Sequence, residues 1–340
     1  MDGLPHLLDL PSAVRVQQTL RTAIDCTGVG VHSGRKCHLS LLPAPSGSGI
    51  VFRRTDLGID IPARHDFVVD TRLCTVLGLP GRREAVVGTV EHVMAALAGA
   101  GISNAVIALD GPEVPILDGS AASFAFLIDC AGVVTQGVAE RAIAVRRSVR
   151  VSDGDAFVEL HPASFGHGLT VTMSIDFADA AIGAQALSLA LTPGRFRREL
   201  AAARTFGRAA DVAALQAAGL ALGGSLDNAV VVDGSKVLNP GGLRMQDEFV
   251  RHKMLDAIGD LALAGAPLIG RLVGHKSGHA LNNRVLHRLF AEDANWAWVN
   301  TALPASTAAA SALSLSEGSA GLPSLGSWQE RRLPVAAAPV

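Results

Sequence analysis

The spacing of apolar residues changes character along the chain, and each change predicts an element. Lys36-Cys37-His38-Leu39-Ser40-Leu41-Leu42 and Gly49-Ile50-Val51-Phe52 carry strand-type side chains on either side of a Pro43-Ala44-Pro45-Ser46-Gly47 turn, so sheet comes first. From Thr89 the period lengthens. Val90, Val93, Met94 and Leu97 recur at steps of three and four residues until the Gly99-Ala100-Gly101 breaker, which predicts a helix with Glu91 and His92 in its first turn. A strand over 104–109, a turn at Gly111-Pro112-Glu113-Val114-Pro115 and a second helix over 123–130 follow.

Residues 131–140 read as a Gly/Val/Ala connector, after which Ile143-Ala144-Val145 and Ser148-Val149-Arg150-Val151 restart the sheet pattern. The second half repeats the order of the first: strands to about Phe177, a Gly/Ala-rich stretch over 178–193, a helix near 195–203, strands around 229–232, and a helix over 249–264. No residue-level repeat accompanies this likeness. It predicts an α+β fold of two domains, 13–137 and 138–303, each a sheet covered by helices. The length of 340 residues agrees, being more than one core usually supports. From 304 onward the chain is rich in Ala, Ser, Pro and Gly and is expected to be a mobile tail.

Composition narrows the function. Lys+Arg 29 against Asp+Glu 31 leaves a formal charge of -2, with no basic block, so neither nucleic acid nor an anionic membrane surface is an expected partner. Cys26, Cys37, Cys74 and Cys130 form no C-x-x-C pair, which suits reduced thiols in a cytoplasm. Residues 1–10 contain no Lys or Arg and no sustained apolar run, so no export signal is read there. The apolar stretches 93–109 and 261–273 are broken by Gly, Ser, Asn or Pro and fall short of the roughly 20 residues of a membrane span. A cytoplasmic monomer is expected.

Candidate chemistry begins with Arg251-His252-Lys253-Met254-Leu255-Asp256. On a helix His252 and Asp256 share a face and can offer an imidazole nitrogen and a carboxylate oxygen to one ion. The alternative is a helix-surface ion pair. Phe249, Met254, Leu255, Ile258 and Leu261 make an apolar face, so the polar stripe of His252, Asp256 and Asp260 lies on a helix expected to be buried, where it needs partners. His92 would complete a His-His-Asp set with one open position, and Glu91 could take a proton from an activated water. A metal-dependent hydrolase results, although spacing cannot show that separate elements converge. A purely structural site would close its fourth position with Cys or His, and none stands at a suitable spacing. His275 and His279, also four apart, are a rival pair, but Ser277-Gly278 between them favours a loop or helix start; His279 near the ion could instead act as a charged acid. Gly28-Val29-Gly30-Val31-His32-Ser33-Gly34 lacks the glycine spacing and βαβ setting of a dinucleotide fingerprint. The glycine-rich Leu222–Asn228 run could cradle an anion or simply turn the chain.

Taken with Pro115-Ile116-Leu117-Asp118-Gly119-Ser120, Ala203-Arg204-Thr205-Phe206-Gly207 and Lys276-Ser277-Gly278-His279-Ala280-Leu281-Asn282-Asn283, these segments give a chain that, over about 17–298, resembles the LpxC family. Those enzymes are the UDP-3-O-acyl-N-acetylglucosamine deacetylases of lipid A biosynthesis in Gram-negative bacteria. The resemblance implies a zinc ion held by His92, His252 and Asp256, with iron as an alternative for the same donors, and Glu91 as general base. It further implies Thr205 as an oxyanion stabiliser, His279 as charged partner or general acid, and Asp260 as its orienting carboxylate. Lys253, Phe206 and Gly224 are expected at the substrate, and an insert over about 207–236 at its acyl chain. The implied fold is two α+β domains with the helices as a central layer between the sheets. Arg208, where many members carry an apolar aromatic residue, and the stretch 178–192 depart from the family pattern. Cys74 aligns with a family cysteine near the site and is given no catalytic role.

Overall fold

The computed structural model describes residues 15–163 and 168–300; the expected tail over 304–340 lies outside them. Alternation decides the first sheet. In the strand Lys36–Pro43, Cys37, Leu39 and Leu41 are buried while His38 points outward, and Leu39 and Leu41 stand opposite Leu109 and Ile107 of Ala105–Leu109. The five-stranded sheet runs in the order Ile24–Val29, Lys36–Pro43, Ala105–Leu109, Ile50–Arg54, Ile59–Pro62. A seven-stranded sheet forms from Arg141–Val145 onward around Leu268–His275, which pairs with Ala156–His161, Leu169–Asp176 and Arg141–Val145. The small unit Phe206–Arg208, helix Ala209–Ala217 and Val230–Asp233 is a β-α-β element with its two strands parallel.

Three expectations about elements are corrected. Residues 131–140 are not a connector: Val133–Ala139 is a strand antiparallel to Val16–Leu20. Its residues are all partly or fully exposed, so no buried face imposes a readable period. Within the Gly/Ala-rich stretch, Ala184–Ala190 is a strand paired with Leu169–Asp176, because Leu187 and Leu189 supply an inward row that the alanines disguise. The helix near 195–203 is a single α-turn, Pro193–Arg195, continued by a π-turn, Phe196–Leu200, that buries Phe196 and Leu200.

Two helices stand between the sheets' contributions to the core. Glu91–Ala100 is buried on nearly every side and ends at Gly101, which is left-handed (φ 74°) and donates its N–H to Leu97 and Ala98, the C-cap a glycine permits. Glu248–Ala262 is buried along most of its length. The two pack on each other; Ala122–Ala131 packs on the first, and the second also meets Leu169–Asp176 and the helix His279–Phe290. Beyond Glu91 and His92 the first helix has no polar face to offer water, whereas the second carries His252, Asp256 and Asp260 inside, where they need partners. The crossing is close: a Cβ on Gly259 would lie 2.0 Å from the Glu91 carbonyl oxygen.

Among the described residues no helix is long and apolar enough to cross a membrane. Gly259→Ala should force the two helices apart and cost about 1–3 kcal/mol of stability, measurable by chemical denaturation. A wild-type unfolding midpoint for that variant would show that the crossing tolerates a methyl group.

Candidate metal centre

His252 and Asp256 are one turn apart on the Glu248–Ala262 helix, and the crossing brings His92 from the Glu91–Ala100 helix to the same point. Each of the three is 3% exposed. The Nε2 atoms of His252 and His92 stand 3.3 and 3.6 Å from Asp256 Oδ1, and one ligand atom from each residue lies within 4.8 Å of the others. Asp256 Oδ1 is buried without a hydrogen-bond partner among the described residues. An orphaned carboxylate oxygen facing two imidazole nitrogens is costly unless a cation joins them.

The surroundings fix the donor forms. His252 Nδ1–H donates to the Ala203 carbonyl at 3.1 Å, leaving the Nε2 lone pair for an ion. Burial, opposed by Asp256, lowers the His252 imidazole to about 4, so it is neutral at physiological pH. Burial would raise the Asp256 carboxyl, but His252 and Lys253 hold it well below the usual carboxylate range. Lys253 Nζ donates to Asp256 Oδ2 at 3.0 Å. Three buried carboxylates, Glu91, Asp256 and Asp260, thus surround a site whose neighbouring cations are Lys253 and His279. The balance favours a further positive charge. The residues fit a divalent metal.

Beside this donor set stand two titratable groups, Glu91 and His279. Burial pushes the Glu91 carboxyl up, with His279 and His92 opposing. Its Oε2 accepts the Thr75 backbone N–H at 3.0 Å, and Oε1 lies 3.8 Å from His279 Nε2. Burial alone would lower His279, but the Asp260 and Glu91 carboxylates push it up to about 9; His279 Nδ1–H donates to Asp260 Oδ2 at 2.9 Å. Asp260 stands behind His279 and is absent from the cavity wall, whereas Glu91, His92, Thr205, Phe206, Gly224, His252, Lys253, Asp256 and His279 all line one cavity of about 720 Å³. Its remaining wall is largely apolar, with Val31, Phe177, Val212, Leu215 and Val231. Phe206 meets Phe249 and Phe177 edge-on, at ring-centroid distances of 5.0 and 5.7 Å.

The structure also places residues to which the sequence reading gave no role. Glu113 accepts the backbone N–H groups of His32 and Ser33, both at 2.8 Å, and the Thr89 hydroxyl at 3.1 Å. It thereby holds the glycine-rich turn at 28–34 and supports Thr89 in a left-handed conformation (φ 57°) that a β-branched residue adopts only under constraint. The two prolines flanking the Glu113 turn were the available hint. Nothing in the spacing of Thr75 or Asn282 signalled their contacts with Asp260. Arg204 and Glu248 form a buried ion pair, with Arg204 Nε 2.8 Å from Oε1, tying the segment before Thr205 to the start of the ligand helix. His275 is excluded from the site: its Nδ1 lies 2.8 Å from Ser174 Oγ on the neighbouring strand. Arg208 lies at the cavity wall, paired with Asp211 at 2.6 Å. The Cys74 thiol is pushed up to about 12 by burial and Glu91 and stays protonated.

Fold and donor set together define the class: an α+β chain whose two crossing helices offer a two-histidine, one-aspartate site at an apolar cavity. Residues 17–291 match the family model described as LpxC, UDP-3-O-acyl N-acetylglycosamine deacetylase. The chain is 49% identical over 308 residues to the UDP-3-O-acyl-N-acetylglucosamine deacetylase of Anaeromyxobacter dehalogenans, covering 89% of this chain and 98% of that protein. It is 50% identical over 290 residues to the protein of the same name from Acidithiobacillus ferrooxidans, covering 84% and 93%. The chain belongs to the LpxC family.

Metal analysis after dialysis against zinc should find one equivalent bound, and His252→Ala or Asp256→Ala should lose it. At an ion concentration 100 times the Kd, the bound ion should add about 2.7 kcal/mol to stability. Zinc retained at full stoichiometry by both variants would put the ion elsewhere.

Proposed function

We propose that this chain is a zinc-dependent amidohydrolase that removes the N-acetyl group of UDP-3-O-acyl-N-acetylglucosamine, releasing acetate, in the cytoplasmic stage of lipid A biosynthesis. The observation that carries the reading is the convergence of two imidazole nitrogens on the orphaned Asp256 oxygen beside Glu91. Relatives of this chain bear the name of that activity. Zinc, when bound by His92, His252 and Asp256, supplies Lewis acidity that lowers the pKa of the attacking water and polarises the amide carbonyl.

The chain's own residues do the rest. Glu91 Oε1 takes the proton from the water as its oxygen attacks the acetamide carbon; a carboxyl raised by burial is a better base near neutral pH than an exposed one. The Thr205 hydroxyl, on the same cavity wall, donates to the developing oxyanion. His279, charged and turned by Asp260, gives its Nε2 proton to the leaving nitrogen as the C–N bond breaks. Acetate and a free amine result. Lys253 uses one N–H on Asp256 and has two left for the phosphates of the nucleotide. The apolar wall around Phe206, Val212 and Leu215 takes the acyl chain, with Gly224 leaving room beside it. The division into 13–137 and 138–303 belongs to this reading. The five-stranded sheet draws its strands from the first range and the seven-stranded sheet from the second, so base and acid come from different halves.

Glu91→Gln tests the central role. Because Glu91 is not a ligand, the variant should hold its metal while kcat falls by about 10²–10⁴-fold, read by amine release from the UDP-sugar. Full turnover by that variant would remove Glu91 as the base. Running the same assay on zinc-loaded and iron-loaded protein identifies the working metal.

A further inference from the structure

Thr75 is 1% exposed and does not line the cavity, yet it touches both Glu91 and the carboxylate behind His279. Its backbone N–H donates to Glu91 Oε2 at 3.0 Å and its hydroxyl donates to Asp260 Oδ1 at 2.5 Å. Its carbonyl accepts the Val90 N–H at 3.4 Å, so the residue is held from the base's own helix. We propose that Thr75 is a positioning residue for the reaction, tying the base to the carboxylate that orients the acid. This rests on the reading of Glu91 as base and His279 as acid.

The geometry divides the donors among the carboxylate oxygens. Thr75 engages Oε2 of Glu91, which leaves Oε1, the oxygen 3.8 Å from His279 Nε2, for the proton. On Asp260, Oδ2 receives both His279 Nδ1 and Asn282 Nδ2, each at 2.9 Å, while the Thr75 hydroxyl serves Oδ1. The Thr75 hydroxyl is the donor in its bond to Asp260 Oδ1. Without that hydroxyl, Oδ1 would be buried with a donor missing. The carboxylate would then turn to share the donors on Oδ2, and the imidazole ring of His279 would turn with it. Glu91 and His279 start two different helices, and Thr75 links their supports, holding Glu91 by its backbone N–H and Asp260 by its hydroxyl.

Filling space is the other role a buried threonine can have, and Thr75→Val separates the two. Valine has the same branching and nearly the same volume, and it keeps the backbone N–H on Glu91. The experiment uses the full zinc-loaded chain with Thr75→Val and Thr75→Ser. It measures kcat and KM for acetate release, metal content, and the ¹⁵N-resolved Nδ1–H resonance of His279. In Thr75→Val we expect kcat to fall about 10- to 100-fold, KM to stay within about twofold, and the metal to remain. The His279 resonance should move in the valine variant and return, together with most of the turnover, in Thr75→Ser. Turnover within about twofold of wild type with an unmoved resonance would overturn the proposal. So would a serine variant as slow as the valine one, or a loss of kcat matched by loss of metal. A wild-type chain inert on this substrate would instead remove the functional reading, and the resonance alone would then decide the role of Thr75.

Discussion

The close crossing of two buried helices is the constraint on which the site depends. Gly259 lets the Glu248–Ala262 helix come against the Glu91 carbonyl, and everything chemical follows from that approach. His92 reaches the His252 and Asp256 pair because its helix passes over theirs, and Glu91 faces Asp260 and His279 for the same reason. Around this contact the rest of the chain acts as scaffold. Glu113 and Thr89 set the start of one helix, and the Arg204–Glu248 pair sets the start of the other.

Electrostatics gives the crossing its purpose. Burying carboxylates is expensive, and here three lie within the same few turns. Each is stabilised differently. Asp256 leans on Lys253 through Oδ2, Asp260 on Thr75, His279 and Asn282, and Glu91 on a backbone N–H and a charged histidine. The resulting split holds Asp256 low and pushes Glu91 up on neighbouring helices, which suits the first to a cation and the second to a proton. Two carboxylates of similar chemistry acquire different roles from their surroundings.

How much of this was legible in the sequence depended on whether a residue's role is local. The one-turn spacing of His252 and Asp256 and the first-turn position of Glu91 and His92 are local facts, and both elements appear as read. The convergence of those elements was not readable from spacing and came only with the family resemblance. Thr75 and Glu113 act across 185 and 81 residues of chain respectively, with no periodic mark. The strand Val133–Ala139 escaped because an edge strand exposed on both faces has no period to betray it. The alanines of Ala184–Ala190 hid a strand for the opposite reason: they put apolar residues on its exposed face, opposite the inward Leu187 and Leu189.

The wall of the cavity differs in kind from its floor. The Ala209–Ala217 helix buries none of its residues and meets the rest of the chain mainly through the two short strands that flank it. His92, His252 and Asp256, by contrast, are each 3% exposed on two helices buried along most of their length. Segments with few buried contacts open most readily and accept replacement most easily. The cavity is therefore built in two tiers. A substitution in that helix or at Arg208 beside it reshapes the wall alone, while the buried His92, His252 and Asp256 stay where the helix crossing puts them.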